Sequence, residues 1–333
     1  MVSSIKIALD LEGGDLGSEA VFLAVKNFLK KNKDTKLFLL GESHTIALCK
    51  SNIPAKFNNL VEWIESGDSV LMGESPGDAI RQKKDSSMQK GINLVKNGVV
   101  NAFVSSGNTG ALMVMSKVSL RMIPGIERPA IVSQLPGKLQ PFLMLDLGAN
   151  IECDSNHLFQ FAHMGSFLAN DLFGVSEPRV RLLNIGEEHT KGNEIIKNAS
   201  DLLEESNLNY LGYIEANEIF SGKTDVVVCD GFSGNIALKS IEGTADLIKT
   251  FLKDGFNHSP LSKLSALFAF STLRGIKRKL DARKYNGALL IGLNGIVVKS
   301  HGGSDHIAFE SAIEFALAES KNNIVNKITT LLN

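Results

Sequence analysis

The sequence has little cysteine, no excess of one charge sign and no long hydrophobic run. Its three cysteines are odd in number and lack C-x-x-C spacing, which argues against both a disulfide framework and a zinc site. The 35 Lys and Arg residues are balanced by 36 Asp and Glu residues, which argues against a polycationic nucleic-acid binder. No apolar stretch is as long as a transmembrane helix, which needs about 20 residues. The N-terminus lacks the apolar segment of a signal peptide. We therefore expect a soluble cytoplasmic protein without nucleic-acid partners.

What the sequence does have is an alternation of short apolar runs with longer helix-like stretches. The runs predict strands at 5–9, 37–40, 102–104, 130–133, 142–145, 180–183, 225–229 and 295–298. The stretches between them predict helices at 18–31, 77–96, 109–121, 156–173, 191–205, 235–252 and 305–332. Several runs are apolar at nearly every position, as in parallel strands that helices cover on both faces. The pattern indicates a mostly parallel, doubly wound α/β sheet, and the lack of a linker predicts a single catalytic domain over 1–333.

One segment, residues 257–285, differs from the rest of the chain in composition. Its first part is rich in leucine and phenylalanine. From Arg274 onward it carries six basic residues and Asp281, a local charge of +5. The spacing predicts two short amphipathic helices, bent near Gly275, that project from the sheet as a hairpin.

Five predicted strand-to-helix junctions are rich in glycine, asparagine, serine, threonine and aspartate. They span residues 10–15, 105–111, 184–193, 230–235 and 301–305. In open α/β sheets, ligands bind beyond the carboxyl ends of the strands, and the free N–H groups of a helix N-terminus attract anions. Together the five junctions predict a preformed cleft for a small anion.

The junction at residues 10–15 combines two glycines with carboxylates. The pair Gly13 and Gly14 permits close backbone approach, and the carboxylates of Asp10 and Asp15 can hydrogen-bond a ligand. A tight turn before a capped helix is the alternative interpretation.

The junction after the third predicted strand contains Ser106, Gly107, Asn108 and Thr109. Its backbone N–H groups and small hydroxyls can hold an anion, although an ordinary helix cap would use the same residue types. The string matches neither G-x-G-x-x-G nor a Walker loop, which argues against dinucleotide and nucleoside-triphosphate binding.

The junction at 184–193 offers a cation and two amides. Lys191 can pair with phosphate, and Asn184 and Asn193 can orient it. Glu187 and Glu188, in the same junction, can instead simply place negative charge in the first turn of a helix, where it is favourable.

The two remaining junctions follow later strands. Asp230 and Asn235 bracket one of them, and a G-x-S-x-G nucleophile elbow would need glycine at position 235, which argues against a serine hydrolase. In the other, His301 precedes Gly302 and Gly303 and can act as a proton donor, a phosphate ligand or a structural loop residue.

No metal or cofactor is predicted, because the sequence contains no H-E-x-x-H motif, EF-hand loop or paired Cys/His spacing. From the residues alone, the junctions predict an enzyme acting on phosphate or a phosphorylated ligand, and no narrower function.

Eight ordered strings make the chain resemble a known family. They are KKDSSM (83–88), SGNTGALM (106–113), DLGAN (146–150), LNIGEE (183–188), KGNE (191–194), CDGF (229–232), GN (234–235) and KSHGG (299–303). The chain resembles the bacterial phosphate acyltransferases of phospholipid synthesis, the acyl-acyl-carrier-protein:phosphate transacylases, from residue 5 to the C-terminus. One departure lies at the first junction, where the family usually reads Asp-Ala-Met-Gly-Gly-Asp and this chain adds the carboxylate of Glu12.

The resemblance implies an activity, a fold and partners. The activity is reversible transfer of a long acyl group from an acyl carrier protein thioester to inorganic phosphate. The acyl phosphate formed would serve a membrane glycerol-phosphate acyltransferase. The implied fold is a three-layer α/β/α type, like phosphate acetyltransferases and the isocitrate/isopropylmalate dehydrogenases, and the implied assembly is a homodimer. Because the product is lipophilic, association with the inner face of the membrane is a further possibility.

Chemistry and loop position suggest the roles of individual residues. Lys191 or His301 is predicted to supply positive charge. Asn184, Asn193 or Asn235 is predicted to donate to the oxyanion. A thiolate leaves with little help, its parent thiol having a pKa of about 8.5, so a general acid is dispensable. The predicted phosphate- or substrate-binding residues are Asp10, Gly13, Gly14, Asp15, Ser106, Gly107, Asn108, Thr109, Asp230, Asn235, Gly302 and Gly303.

The resemblance also gives the basic segment a use, because acyl carrier proteins are acidic and basic residues would attract one. Its apolar helix can also lie on an anionic membrane surface. The predicted contacts are Leu267, Phe268, Phe270, Arg274, Lys277, Arg278 and Lys279. A dimer interface with a solvated basic edge is the alternative.

Two rival functions stay open on the sequence. One is an acetyl-CoA:phosphate transferase or an acid dehydrogenase on the same scaffold, although neither a metal-binding aspartate cluster nor a substrate arginine cluster is found. The other is a non-catalytic regulator or membrane scaffold, against which the intact polar junctions argue.

Overall fold

An eleven-stranded sheet covered by helices on both faces organises the chain. The computed structural model describes residues 4–279 and 281–332. The strands are β1 (Ile5–Asp10), β2 (Thr35–Gly41), β3 (Val61–Glu65), β4 (Ala102–Ser105), β5 (Ala130–Leu135), β6 (Phe142–Leu145), β7 (Val180–Leu183), β8 (Tyr210–Ile214), β9 (Val226–Val228), β10 (Ala288–Ile291) and β11 (Ile296–Lys299). The helices are α1 (Gly17–Lys31), α2 (Ser43–Asn52), α3 (Pro76–Gln82), α4 (Ser87–Lys96), α5 (Thr109–Leu120), α6 (Ser155–Phe173), α7 (Glu194–Glu204), α8 (Gly231–Asn257), α9 (Pro260–Phe268), α10 (Phe270–Lys279), α11 (His306–Asn322) and α12 (Ile324–Leu332). Short 3₁₀ turns cover Ala55–Leu60 and Ala282–Tyr285.

Burial on both faces of the sheet explains why many strands are apolar throughout. Along β1, Ile7 and Leu9 pack into one core and Ala8 packs into the other. Helices α1, α6 and α11 complete the first core, and α4 and α5 complete the second. Fully buried side chains such as Phe28 and Phe161 each contribute about 1.5–3 kcal/mol to folding. These layers agree with the predicted three-layer α/β/α class.

The sheet contains two parallel groups that run in opposite directions. The strand order is β3-β2-β1-β4-β11-β10-β5-β6-β9-β7-β8. Pairing is parallel from β3 to β11 and again from β6 to β8, whereas β10 is antiparallel to β11 and β5, and β5 is antiparallel to β6. Three reversals of strand direction separate the groups. The carboxyl ends of the strands in one group therefore lie on the same side as the amino ends of the strands in the other.

Two of the long predicted helices are each divided in the structure. The stretch 77–96 forms α3 and α4, because the Ser86 side chain accepts from the N–H of Gln89 and caps a new helix. The stretch 305–332 forms α11 and α12, with Asn323 between them in the left-handed region at φ 56°.

The predicted hairpin contains two short helices, but the predicted bend near Gly275 is wrong. Helix α10 continues through Gly275, and the interruption between α9 and α10 lies at Ala269. A glycine inside a helix costs only about 1 kcal/mol relative to alanine and does not by itself end the helix.

Glu319 is an unusual buried acid on α11. It is fully buried, and neither carboxylate oxygen has a hydrogen-bond partner in the described part of the chain. Burial, with a smaller contribution from Asp171, raises the pKa of Glu319 from 4.5 to about 8. Between these values the folded state binds the extra proton, so the free energy of unfolding falls as the pH rises across this window.

Replacement of Glu319 by glutamine removes this titration while preserving the shape of the side chain. We expect Glu319→Gln to raise the free energy of unfolding by roughly 1–3 kcal/mol near pH 8.5, and to change it little near pH 5. Urea denaturation at both pH values measures the effect, with Glu314→Gln, half-exposed on the same helix, as the control. An equal effect of Glu319→Gln at both pH values would contradict the assignment.

Candidate active site

Three loops at the carboxyl ends of neighbouring strands form the first loop cluster, made of residues 10–16 at the end of β1, 105–109 at the end of β4 and 300–305 after β11. Ser106 Oγ donates to the Gly13 carbonyl at 2.8 Å. The Asp15 N–H donates to the Gly302 carbonyl at 2.8 Å. The loops are therefore joined directly to one another. The predicted site residues that this cluster brings together are Asp10, Gly13, Gly14, Asp15, Ser106, Gly107, Asn108, Thr109, His301, Gly302 and Gly303.

The Asp10 carboxylate lies beneath this cluster and is 2% exposed. It accepts hydrogen bonds from Ser105 Oγ and Ser87 Oγ, both at 2.7 Å, and from the Glu12 N–H at 3.0 Å. Burial raises the pKa of Asp10, and the two serine hydrogen bonds act in the opposite direction. Ser105 Oγ in turn accepts from the Gly107 N–H at 3.0 Å. Asp10 therefore organises the loops from below, through two serines that the sequence analysis did not select.

Two glycines allow the first two loops to touch through their backbones. A Cβ at Gly13 would lie 2.5 Å from the Gly107 nitrogen, far inside van der Waals contact. Gly14 has φ +94°, and a Cβ there would lie 2.7 Å from Ser106 Oγ. The close approach that the sequence predicted for this glycine pair is present, and it is an approach to the neighbouring loop.

Asn108 stands at the N-terminus of α5, where free backbone N–H groups can receive an anion. Its Oδ1 accepts from the Ala111 N–H at 3.0 Å, so it caps the helix. Its Nδ2 donates to the carbonyls of Leu71, Met72 and Glu74 at 3.2, 2.9 and 2.9 Å. The side chain is thus occupied within the protein, while Thr109 beside it is exposed.

We expect Asn108→Ala to lower the free energy of unfolding by about 2–3 kcal/mol, because it removes a helix cap and also releases the 71–74 loop. The matched control is Asn193→Ala, which removes the cap of α7 at an exposed position and should cost about 1 kcal/mol. Urea denaturation measures both variants. Equal losses in the two would show that the contacts to the 71–74 loop add nothing.

His301 is exposed at the rim of the first loop cluster. Its Nδ1 accepts from the Gly303 N–H at 3.1 Å, so the neutral ring carries its proton on Nε2. The His301 N–H donates to Asn286 Oδ1 at 3.1 Å, and Asn286 Nδ2 donates to Ser300 Oγ at 2.8 Å. The hydrogen bond to Nδ1 orients the imidazole ring, and its Nε2–H stays available as a donor.

Lys299, the last residue of β11, is a functional candidate that the sequence analysis did not select. It is 9% exposed, and its Nζ donates to the carbonyls of Ser106, at 3.3 Å, and Ser300. Burial, followed by the charge of Lys239, lowers the pKa of Lys299 to about 8. The signal in the sequence was a lysine ending the otherwise apolar run of β11.

The loops after β6, β7 and β9 form the second loop cluster, made of residues 146–154, 184–193 and 229–230. Its centre is the fully buried carboxylate of Asp146, which accepts from the N–H groups of Ile131, Gly148, Ala149 and Asn150 at 2.7–3.2 Å. Burial raises the pKa of Asp146 while these hydrogen bonds oppose the shift.

The second loop cluster holds the other predicted site residues. Asn184 is buried, its Nδ2 donates to the Lys191 carbonyl at 3.3 Å, and its Oδ1 has no hydrogen-bond partner among the described residues. Lys191 and Asn193 are exposed, and Asn193 caps α7. Asp230 caps α8 by accepting from the Ser233 N–H at 2.8 Å. Asn235, one turn further, is exposed and borders Gly148.

The structure therefore divides the predicted site residues between two clusters. The hydrogen bonds form two separate networks within residues 4–279 and 281–332. Helix α8 begins in the second loop cluster and runs toward the first. The charge of Lys239, two turns from the start of this helix, contributes to the lowered pKa of Lys299 in the first cluster. The catalytic and binding roles assigned from the sequence stay predictions.

Helices α8 to α10 carry a largely exposed apolar surface. Phe268 is 83% exposed and Phe270 is 61% exposed, and the Arg274 side chain is exposed nearby. The side chains of Leu267, Lys277, Arg278 and Lys279 lie outside the described part of the structure. Among the described residues, no helix is both long enough and apolar enough to cross a bilayer.

Comparison with known proteins decides the family. Residues 5–327 match the family described as "Fatty acid synthesis protein". The chain belongs to this family. The match spans both loop clusters and the helices between them.

Full-length relatives support the same assignment. A phosphate acyltransferase of Alkalilimnicola ehrlichii is 46% identical over 98% of this chain and 96% of its own length. The Legionella pneumophila (strain Paris) phosphate acyltransferase is 45% identical, covering 100% and 97%. That of Moritella marina is 45% identical, covering 99% and 98%. The predicted family and the prediction of an acyltransferase are thereby confirmed.

Solved structures agree with the predicted fold. A phosphotransacetylase from Streptococcus pyogenes superposes with a TM-score of 0.62 at 17% identity, covering 97% of this chain and 95% of its own. The EutD phosphotransacetylase from Staphylococcus aureus gives a TM-score of 0.59 at 20% identity, covering 95% and 93%. The phosphate acetyltransferase type of α/β/α fold is confirmed.

Proposed function

We propose that the protein moves a long-chain acyl group from an acyl carrier protein thioester to inorganic phosphate, giving an acyl phosphate. The first loop cluster is the observation that carries this proposal. There, three loops joined by hydrogen bonds meet near the N-terminus of the twelve-residue helix α5, next to the buried ammonium of Lys299. This is an environment for a small anion. The relatives' name, phosphate acyltransferase, agrees with an acceptor of this chemistry.

The reaction needs positioning of the phosphate more than activation, because phosphate is largely dianionic near neutral pH. One phosphate oxygen attacks the thioester carbonyl carbon and forms a C–O bond, while the carbonyl oxygen becomes an oxyanion. The oxyanion then re-forms the C=O bond as the C–S bond breaks, and the thiolate leaves with the electron pair of that bond and takes a proton from solvent. The N–H groups of the first turn of α5 hold the phosphate, and Nε2 of His301 or the amide of Asn235 donates to the oxyanion.

The projecting segment 257–285 supplies the macromolecular contacts in this proposal. Its basic residues attract the acidic carrier protein, and its exposed phenylalanines rest on the anionic inner face of the membrane. The enzyme acts as a cytoplasmic homodimer whose single catalytic domain spans residues 1–333. A membrane glycerol-phosphate acyltransferase consumes the acyl phosphate on the way to phosphatidic acid and phospholipid.

Thiol release from purified long-chain acyl carrier protein, with and without inorganic phosphate, tests the reaction. We expect release only with phosphate, and much slower release from acetyl-CoA. Faster turnover of acetyl-CoA than of the carrier thioester would favour the phosphotransacetylase alternative that the fold allows. Binding of carrier protein without any thiol release would indicate a scaffold.

Sedimentation with vesicles of anionic phospholipid tests the membrane contact. The double variant Phe268→Ser, Phe270→Ser should lose sedimentation, whereas Leu48→Ser, which changes an apolar residue on α2 about as exposed as Phe270, should not. Wild-type sedimentation of the double variant would refute the membrane role of this segment.

A further inference from the structure

Lys299 is a buried cation that has no carboxylate partner among the residues the structure describes. It ends a strand whose preceding residues are buried and apolar, and it is itself 9% exposed. Its Nζ forms no ion pair within the described residues and instead donates to the carbonyls of Ser106 and Ser300. A buried ammonium is costly unless it is paired, so a lysine in this place indicates a negative partner that arrives from outside.

The two carbonyls belong to two loops of the first loop cluster. Ser106 lies three residues before the first residue of α5, Thr109, and Ser300 lies directly before His301. One ammonium therefore ties the turn that presents N–H groups to the loop that presents the imidazole. An ammonium has three N–H donors, so one remains after these two bonds.

Charged groups on two other elements face Lys299, and within the described residues none of them forms an ion pair with its ammonium. From β1 and its loop, Asp10 and Asp15 favour the charged ammonium, but Asp10 is already bound by three donors. From α8, Lys239 opposes it as a second cation. A dianion bound beside the Lys299 ammonium would be attracted by Lys299 and also by the charge of Lys239.

We infer that Lys299 is a phosphate-positioning residue, whose ammonium holds the Ser106 and Ser300 loops together and supplies positive charge to the bound phosphate. This inference rests on the proposed function and assigns a residue within it. It also predicts a pH dependence, since the pKa of Lys299 lies at about 8. The ammonium is present below this pH and is lost above it, so kcat/KM for phosphate should fall above about pH 8.

Steady-state kinetics of Lys299→Met and Lys299→Arg test the inference. Lys299→Met should raise the KM for phosphate about 10- to 100-fold, with kcat much less affected, because a charge-assisted contact is lost. Lys299→Arg should restore most of the phosphate affinity and keep kcat/KM for phosphate level above pH 8, because guanidinium stays protonated. The control is Lys36→Met, which removes a lysine from the amino end of β2, remote from the first loop cluster.

A purely structural role would give a different pattern. It would lower kcat and the thermal stability of Lys299→Met together, leave the KM for phosphate unchanged, and leave the wild-type pH profile flat. That pattern would overturn the inference. If Lys299→Met does not fold, the pH profiles of the wild type and Lys299→Arg decide the question by themselves.

A binding measurement separates this inference from the proposed reaction. Inorganic phosphate alone should raise the melting temperature of the wild type and of Lys36→Met, and should not raise that of Lys299→Met. Absence of phosphate-dependent thiol release in the wild type would refute the proposed function, whereas an equal phosphate-induced shift in all three proteins would refute the role of Lys299.

Discussion

Gly13→Ala should lower kcat/KM for phosphate on the order of 100-fold, since displacement of a binding group by about 1 Å has an effect of this size. The added Cβ would lie 2.5 Å from the Gly107 nitrogen and 3.1 Å from Asp10 Oδ2. The added methyl group would therefore displace two neighbours. One is the turn at Gly107, which precedes the N–H groups that bind the anion, and the other is the Asp10 carboxylate, which accepts hydrogen bonds from this region. Phosphate-dependent thiol release measures the loss.

The control for this variant is Gly243→Ala, on an exposed part of α8 where an added Cβ meets nothing within 4 Å. It should keep wild-type kinetics. Circular dichroism and the melting temperature establish that Gly13→Ala is folded. Wild-type kcat/KM for phosphate in folded Gly13→Ala would show that the contact between the two loops does not shape the phosphate site.

Gly234→Ala should lower the free energy of unfolding by about 3 kcal/mol, among the larger effects of overpacking. Gly234 lies in the first turn of α8, and a Cβ there would fall 1.9 Å from the Asp146 carbonyl oxygen. The backbone of the second loop cluster, or the start of α8, must move to make room. Gly243→Ala, in the same helix, should instead raise stability by about 0.5–1 kcal/mol.

Urea denaturation of the wild type and both glycine variants gives the comparison within one helix. The opposite signs follow from the surroundings, because the two substitutions add the same methyl group. A change of the same sign in both variants would contradict the close packing of α8 on the second loop cluster.

The sequence predicted the buried strands well and the edge strands poorly. Runs such as that of β4 are buried on both sides and therefore apolar throughout, which makes them easy to recognise. The missed strand β3 reads Val-Glu-Trp-Ile-Glu, with exposed glutamates at an edge of the sheet, and the missed β8 contains Gly212 at φ +79° at the other edge. The missed β10 is apolar, but it is separated from β11 by only four residues.

The sequence also identified the ligand-rich loops but not their grouping. Each loop is recognisable from its own glycines and amides. Which loops meet depends on the antiparallel pairings of β10 and β5, which reverse the direction of the second parallel group. These pairings are long-range properties of the sheet and leave no local pattern in the residues.

For individual site residues, too, local properties could be predicted from the sequence and long-range contacts could not. The capping of α5 by Asn108 follows from residue type and position, and it was one of the two alternatives predicted for this junction. The three carbonyls of the 71–74 loop that the Asn108 amide binds lie more than 30 residues away in the chain. Likewise, Lys299 becomes a candidate only once its burial and its two carbonyl partners are known.

Incorporation of radiolabelled inorganic phosphate into a lipid-soluble product, during thiol release from long-chain acyl carrier protein, is the decisive test of the proposed reaction. We expect one labelled phosphate per thiol released by the wild type, release of the label from the product by hydroxylamine, and strongly reduced labelling by folded Gly13→Ala. Thiol release without incorporation of label would mean that water, and not phosphate, accepts the acyl group, and would refute the proposed function.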